Sequence, residues 1–276
     1  RLLSDKLLDN SCLFLMNTIV FALVLSLMSA IAVHEVEKAV NLKNKPIMIL
    51  SLALSVAIPV LAHFNVNVPI AAFGGIYVVL IFIFMLIQFE KTKFEEAVTA
   101  IFASVAIPYS FSLFLVFRDI NERFSSYTKI DGIFLILFAC FCAWLTDIFA
   151  YFVGSKFGKH KLCPKISPKK TISGFIGGVL ATILILLVLY FILSSIPSLQ
   201  SAISAIGIEW WGVALVGLFG SLACTGGDLF ESYMKRKADL KDSGNILPGH
   251  GGFLDRLDGF VFVVPVIMIV ALIIVL

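Results

Sequence analysis

The sequence predicts an all-α fold, a polytopic integral membrane bundle of about eight transmembrane helices, with nine as the alternative count. Hydrophobic residues make up 60% of the chain, charged residues only 14%, and mean hydropathy is +1.03. Soluble proteins average about 25% charged residues, so this composition excludes a soluble globular domain. Apolar runs of membrane-spanning length recur along the chain, and charged residues collect in alternate connecting segments.

The apolar runs set the positions of the spans, because about 20 helical residues cross roughly 30 Å of hydrocarbon. Residues 1–131 are plain hydrophobic helices and are predicted to form a transmembrane scaffold. Residues 132–276 add ionisable groups and two long loops with many lysine and arginine residues, 154–174 and 231–258, and are predicted to carry the chemistry. The predicted spans are 13–33, 47–64, 69–88, 97–117, 132–153, 175–193, 210–230 and 259–276.

Lysine and arginine predict the orientation, because cationic loops resist translocation across a membrane. Alternate connecting segments, including loops 154–174 and 231–258, hold 16 of the 21 lysine and arginine residues. We therefore expect these loops to face the cytosol. A basic inner face suits anionic lipid head groups and nucleoside phosphates, and we expect no nucleic-acid partner.

Charged residues at the ends of spans are ordinarily solvated. His34, Glu35 and Glu37 lie at the inner end of the first predicted span, and we expect a solvated rim there. Asp147 differs, because it lies deep within a span, where an uncompensated charge is costly. It must face the bundle interior or a water-filled cleft, either as a functional group or as a carboxylate hydrogen-bonded to a neighbouring helix.

Polar residues also precede the sixth predicted span. The loop Gly154 to His160 has glycines and lysines like a Walker A loop but neither its spacing nor its hydroxyl, so it is not a P-loop. Ser167, Lys170 and Thr171 come directly before a helix, whose N-terminal amides and dipole attract phosphate. The pattern predicts a phosphate site. The alternative, positive-inside anchoring, explains the lysine but not the hydroxyls.

The seventh span carries a polar stripe. Asp228, Glu231, Ser232 and Lys235 share one helical face by their spacing. A helix over 210–237 would be about 42 Å long at 1.5 Å per residue. It must therefore either project beyond the bilayer or break near the two glycines that precede Asp228.

Carboxylates at the inner membrane boundary predict a metal site. Asp255 and Asp258 begin the last span three residues apart, and we expect them on one helical face, where they can meet Asp228. Mg²⁺ takes oxygen ligands, typically one or two carboxylates plus substrate phosphates. The alternative is that each aspartate merely pairs with a neighbouring lysine or arginine.

The segment from Ser232 to Asp258 resembles the signature of phosphatidate cytidylyltransferases, also called CDP-diacylglycerol synthases, at every constrained position. The runs Asp147 to Lys159 and Ser167 to Thr171 resemble the same family, so the resemblance covers roughly the C-terminal half. The constrained positions of the main segment include Ser232, Lys235, Arg236, Lys241, Asp242, Gly244, Pro248, His250, Gly251, Gly252, Asp255, Arg256 and Asp258.

The resemblance implies a Mg²⁺-dependent nucleotidyltransferase of phospholipid biosynthesis, which makes CDP-diacylglycerol and pyrophosphate from phosphatidic acid and CTP. It implies that Asp228 and Asp255 ligate Mg²⁺, with Asp258 and Asp147 completing a site that has room for a second cation. His250 would assist pyrophosphate departure or contact the nucleotide. The implied catalytic residues are Asp228, Asp255, His250 and Lys241. The implied substrate-binding residues are Ser167, Lys170, Thr171, Ser232, Lys235, Arg236 and Arg256.

Two other functions fit parts of the pattern. A CTP-dependent lipid kinase would transfer the γ-phosphoryl group to an alcohol and release CDP. A cation-coupled secondary transporter would use the buried carboxylates for its coupling ion, but the sequence lacks the repeated broken helices typical of many transporters. The expected partners are CTP, phosphatidic acid and membrane lipid, and a homodimer stays open.

Overall fold

The computed structural model describes residues 19–65, 70–125, 127, 129–196, 209–238, 240, 244 and 251–275, most of them helical. Helices suit these apolar runs, because a backbone inside a bilayer must satisfy its own hydrogen bonds. The helices are α1 (Ile19–Ala39), α2 (Lys45–His63), α3 (Ile70–Ile87), α4 (Phe94–Arg118), α5 (Ile120–Arg123), α6 (Lys129–Phe157), α7 (Ile172–Ser194), α8 (Trp210–Lys237) and α9 (Asp258–Val275). Short 3-10 turns cover Phe89–Lys91 and Leu254–Arg256.

Six helices within the described residues are long and apolar enough to cross a membrane, namely α1, α2, α4, α6, α7 and α8. The apolar segments of α3 and α9 are shorter. Each predicted span overlaps one of these helices, which confirms the helical membrane class. The exact number of spans stays a prediction.

The helix that carries Asp228 is unbroken. α8 runs through 28 residues and includes Gly226 and Gly227. Its length is therefore about 42 Å at 1.5 Å per residue. The alternative in which this helix breaks ahead of Asp228 is wrong.

The chain forms two compact units, which we describe separately. The N-terminal unit contains α1 to α3, α4 as far as Leu115, and residues 234–257. The C-terminal unit contains residues 116–233 and the chain from Asp258 onward. The functional division at residue 131 stays a prediction.

In the N-terminal unit, α1 packs against α2 with hydrogen bonds that serine hydroxyls donate across the interface. Ser26 donates a hydrogen bond to the carbonyl oxygen of Val56 at 3.1 Å, and Ser51 donates to the Glu37 carboxylate. Glu35 and Glu37 are 1% and 0% exposed. The predicted solvated rim is therefore wrong for both glutamates, because α1 continues to Ala39 and buries their side chains.

In the C-terminal unit, a β-hairpin joins α6 to α7. Strands β1 (Lys161–Cys163) and β2 (Ser167–Thr171) are antiparallel, with Lys161 opposite Thr171. The segment 154–174 was predicted as a loop, but it contains the end of α6 and this hairpin. The all-α prediction therefore misses one two-stranded sheet.

Glycines bring α6 and α7 into contact. A Cβ on Gly174 would lie 2.6 Å from the carbonyl oxygen of Ala150, and one on Gly178 would lie 2.8 Å from that of Thr146. The hydroxyls of Thr146 and Thr182 lie 3.2 Å apart along the same interface. Close packing of small residues drives helix association in lipid, where the hydrophobic effect contributes little.

Candidate functional site: an aspartate cluster beside a basic hairpin

Three aspartates from three helices meet in the C-terminal unit. Asp147 lies on α6, Asp228 lies on α8, and Asp258 is the first residue of α9. The carboxyl groups of Asp147 and Asp258 are each within hydrogen-bonding distance of Asp228. Carboxylates this close repel one another unless a proton or a cation lies between them, so the cluster attracts positive charge.

Two glycines allow α8 and α9 to approach at the cluster. A Cβ on Gly227 would lie 2.8 Å from the carbonyl oxygen of Asp258, and one on Gly259 would lie 3.1 Å from Cys224 Sγ. Asp258 also accepts a hydrogen bond from the N–H of Gly259 at 2.8 Å. The carboxyl of Asp258 is thereby held at the N-terminus of α9, next to Asp228.

Lys170 supplies a cation to the cluster. Its ammonium donates a hydrogen bond to Asp228 Oδ2, and the two side chains are 27% and 15% exposed. Lys170 precedes Thr171, whose hydroxyl accepts a hydrogen bond from the N–H of Gly174 at 3.2 Å and caps α7. Thr171 is buried, and its bond to Gly174 fixes the end of the hairpin, and with it Lys170, against α7.

A cleft of about 520 Å³ opens beside the cluster. Asp147 and Asp228 lie in its wall together with Lys161, Lys169 and Lys170. The volume falls in the range typical of small-molecule sites, roughly 300–1,000 Å³. The cleft is therefore acidic towards the helices and basic towards the hairpin. Its other lining residues are Ala150, Tyr151, Gly154, Ser155, Gly158, Leu162, Thr171, Gly174, Phe175 and Thr225.

The donor set of the cluster fits a hard divalent cation. Asp147, Cys224 and Asp228 each offer one ligand atom, and these atoms lie within 4.8 Å of one another. Mg²⁺ takes oxygen donors, whereas a thiolate selects softer metals. The Cys224 thiol is buried and donates to the carbonyl oxygen of Ala143 at 3.5 Å. The donors of this group that fit magnesium are therefore the carboxylates of Asp147 and Asp228, and Asp258 lies next to Asp228.

A second ion pair lies in the N-terminal unit. Lys235, near the end of α8, donates to Asp255 Oδ1 at 2.8 Å, and Asp255 Oδ2 accepts the N–H of Gly252 at 2.8 Å. Asp255 lies in a separate 3-10 turn, and α9 begins only at Asp258. The prediction that these two aspartates share a helical face is wrong, because Leu257 (φ −125°, ψ 3°) separates the turn from the helix.

The other predicted substrate residues occupy accessible positions. Ser167 begins β2 and Ser232 lies on α8, and both are partly buried. Arg236 and Arg256 are exposed. Outside the described residues lie Lys241 and His250, whose roles stay predictions.

The sequence prediction missed Glu35, which contacts the backbone just ahead of Asp255. The Glu35 carboxylate accepts hydrogen bonds from the N–H groups of Phe253 at 2.9 Å and Leu254 at 2.8 Å. The neighbouring His34 and Glu37 gave the segment the appearance of a solvated helix end. Helical spacing could have indicated that Glu35 is buried. Positions 22, 25, 29 and 32 form the buried face of α1, and position 35 continues that face at a spacing of three residues.

The chain is similar to several bacterial enzymes. It is 40% identical over 172 residues to a phosphatidate cytidylyltransferase of Bacillus subtilis (strain 168), covering 62% of this chain and 57% of that protein. A phosphatidate cytidylyltransferase of Staphylococcus aureus (strain COL) is 44% identical over 160 residues, with coverages of 56% and 55%. One of Staphylococcus epidermidis (strain ATCC 12228) is 45% identical over 142 residues, with coverages of 51% and 50%.

The chain therefore spans between 50% and 57% of the length of these relatives. A family-level comparison extends further and matches the cytidylyltransferase family over residues 10–274. That range contains the aspartate cluster, the hairpin and the Lys235–Asp255 pair. The match over nearly the whole sequence shows that this chain belongs to the cytidylyltransferase family.

Proposed function

We propose that this protein is a Mg²⁺-dependent phosphatidate cytidylyltransferase that converts phosphatidic acid and CTP to CDP-diacylglycerol and pyrophosphate. The main support is the cluster of Asp147, Asp228 and Asp258, which lies beside Lys170 at a cleft of about 520 Å³. Two bacterial phosphatidate cytidylyltransferases are 40% and 45% identical to the chain over their matched segments.

This reaction depends on alignment and charge neutralisation. A phosphate oxygen of phosphatidic acid forms a bond to the α-phosphorus of CTP. The bond from that phosphorus to the bridging oxygen breaks, and pyrophosphate leaves with the oxygen. The attacking phosphate oxygen is already ionised, so no strong general base is needed. Positioning and oriented charge account for large parts of such rate enhancements.

The carboxylates at the cleft would bind the cation, and the lysines would bind the phosphates. Bound magnesium would neutralise triphosphate charge, and Asp147, Asp228 and Asp258 would hold it through carboxylate oxygens. The ammonium of Lys170 has three donors, so it can bind a phosphate oxygen while it remains bonded to Asp228. Lys161, from the neighbouring strand of the hairpin, adds positive charge to the same wall.

We also propose functional roles for Lys235 and Asp255, which lie in the N-terminal unit. Asp255 is a second candidate magnesium ligand, and Lys235, Arg236 and Arg256 are candidate partners of the triphosphate or the lipid phosphate. Their support is the resemblance of this segment to the family signature, together with the bonds that fix Asp255 to Lys235 and Gly252.

The proposed site faces the cytosol from the bacterial inner membrane, so that CTP arrives from water and phosphatidic acid from the inner leaflet. Lys165, exposed in the hairpin turn, provides a test. With the five native cysteines replaced, Lys165→Cys should react with a membrane-impermeant maleimide in inside-out vesicles and not in intact spheroplasts. Labelling in spheroplasts would overturn the orientation.

The activity itself is tested with purified protein in detergent, phosphatidic acid, Mg²⁺ and CTP labelled at the α-phosphorus. The proposal expects labelled CDP-diacylglycerol and one pyrophosphate per liponucleotide. Release of CDP together with a phosphorylated lipid would instead identify a CTP-dependent lipid kinase. No turnover of CTP, with solute uptake by sealed proteoliposomes, would favour a transporter and contradict the proposal.

A further inference from the structure

A buried glutamate in the N-terminal unit is bonded directly to the signature segment. Glu35 on α1 is 1% exposed. One carboxylate oxygen accepts the N–H of Phe253 at 2.9 Å, and the other accepts the N–H of Leu254 at 2.8 Å. Both oxygens of the side chain are therefore used to hold the backbone just ahead of Asp255.

Two glycines of the signature lie against the same carboxylate. A Cβ on Gly244 would lie 2.5 Å from Glu35 Oε1, and one on Gly252 would lie 3.1 Å from Glu35 Oε2. The same Cβ on Gly252 would also lie 3.1 Å from Asp255 Oδ2. A side chain at either position would push the segment away from Glu35, so the two glycines permit the close approach.

The hydrogen bonds continue from Glu35 to the ion pair. Phe253 and Leu254 are bonded to Glu35, Gly252 donates to Asp255 Oδ2, and Asp255 Oδ1 accepts from Lys235. The turn that begins at Gly252 therefore has its backbone fixed on one side and its carboxylate fixed on the other. Displacement of the backbone would move the Asp255 carboxylate.

We infer that Glu35 is a positioning residue, whose buried carboxylate fixes the turn 252–255 and thereby the Asp255 side chain for the reaction. The part of this inference that concerns catalysis rests on the proposed cytidylyltransferase activity. The part that concerns the turn rests on geometry alone. A carboxylate suits the task because it presents two acceptors to two adjacent N–H groups, and charge-assisted bonds of this kind are strong.

Glu35→Gln is the most informative substitution. Glutamine has nearly the same shape, but its NH₂ group would face one of the two N–H donors and leave that donor without an acceptor. Glu37→Gln is a matched control, because Glu37 is equally buried on the same helix but bonds to Ser51. Both substitutions lie in the N-terminal unit, whereas the aspartate cluster belongs to the C-terminal unit.

Hydrogen–deuterium exchange of the whole protein measures the positioning without any catalytic assay. In Glu35→Gln, the amides of residues 251–256 should exchange roughly tenfold faster or more, because a lost bond to a charged group exposes them more often. In Glu37→Gln, the same amides should exchange as in the unsubstituted protein. Equal protection in Glu35→Gln, or equal loss in both variants, would overturn the inference.

Turnover of CTP then tests the consequence for chemistry. Glu35→Gln should lower kcat by roughly 10²-fold, the effect expected of a misplacement near 1 Å. The KM for CTP should change much less, and Glu37→Gln should retain both constants. A Glu35→Gln protein with altered exchange but full kcat would refute the role in the reaction. If the unsubstituted protein forms no liponucleotide, the proposed activity fails while the exchange result still decides the positioning.

Gly244→Ala provides a second variant should Glu35→Gln fail to fold. Its Cβ would lie 2.5 Å from Glu35 Oε1 and would displace the carboxylate. The inference expects the same faster exchange at residues 251–256 with α1 otherwise protected as before. Unchanged exchange in this variant would contradict the contact on which the inference stands.

Discussion

Lys170 on the β-hairpin and Asp228 on α8 form an ion pair within the C-terminal unit. The pair connects the basic wall of the cleft to the acidic cluster. It agrees with the alternative in which aspartates pair with cations, and it is equally compatible with a phosphate site, because the lysine has two further donors.

Removal of that lysine should affect substrate handling more than the fold. We expect Lys170→Gln to lower kcat/KM for CTP by roughly 10²-fold, as for loss of one oriented charge in a water-poor site. Lys165→Gln is the matched control, since Lys165 is exposed in the turn of the same hairpin. Steady-state assays of both variants check this, and equal kcat/KM values for the two would contradict it.

If the acidic cluster binds a metal, activity should require a charged carboxylate at Asp228. Asp228→Asn should abolish turnover while leaving membrane insertion intact, because the amide keeps the shape but lacks the charge that a metal requires. Glu209→Gln, at an exposed carboxylate that accepts from Trp211, should behave like the unsubstituted protein. Substantial turnover by Asp228→Asn would remove the metal assignment.

Chelation provides an independent test of the metal. Activity should disappear in excess EDTA and return with Mg²⁺. The Mg²⁺ concentration for half-maximal rate should rise in Asp258→Asn, because a neutral amide oxygen replaces a charged carboxylate oxygen. Titration of the rate against Mg²⁺ checks both statements. Full activity in EDTA, or an unchanged midpoint in Asp258→Asn, would contradict them.

Alanine substitutions at the two adjacent glycines of α8, Gly226 and Gly227, should change stability in opposite directions. A Cβ on Gly226 meets nothing within 4 Å, whereas one on Gly227 would meet the backbone of Asp258. Gly227→Ala should destabilise the protein by about 1–3 kcal/mol through overpacking and should lower activity. Gly226→Ala should stabilise the helix by up to about 1 kcal/mol. Thermal unfolding in detergent distinguishes them, and similar unfolding temperatures for the two would count against the α8–α9 contact.

Because Thr171 caps α7 with its hydroxyl, the stability of the protein should depend on a hydroxyl at this position. Thr171→Ala should cost about 1 kcal/mol, because the N–H of Gly174 loses its acceptor. Thr171→Ser keeps the hydroxyl and should retain most of that stability. Unfolding temperatures of the two variants measure the difference, and a Thr171→Ala protein as stable as Thr171→Ser would exclude the cap as a source of stability.

The helices of this protein are predictable because hydropathy and length alone determine a membrane span. The hairpin was not, since Ser167 to Thr171 contains a proline and two lysines and lacks the apolar alternation of a strand. The two strands lie between α6 and α7, whose contact at Gly174 and Gly178 depends on residues far apart along both helices.

The candidate site was partly predictable for a related reason. Asp147 and Asp228 were found as charges within or beside apolar spans, and Asp228 does meet Asp258. The geometry of Asp255 was wrong, because spacing alone could not reveal the turn that ends at Leu257. Glu35 was missed because its partner Phe253 lies 218 positions away along the chain.

The arrangement of α6, the hairpin and α7 also bears on how the protein is made. These elements are consecutive, and contacts between sequence neighbours close short loops at low entropic cost. We therefore expect this segment to assemble in the bilayer while the ribosome is still translating the remainder. Asp147 and Lys170 are then in place before α8 and α9 emerge, so the three-carboxylate centre is completed by helices that are synthesised later.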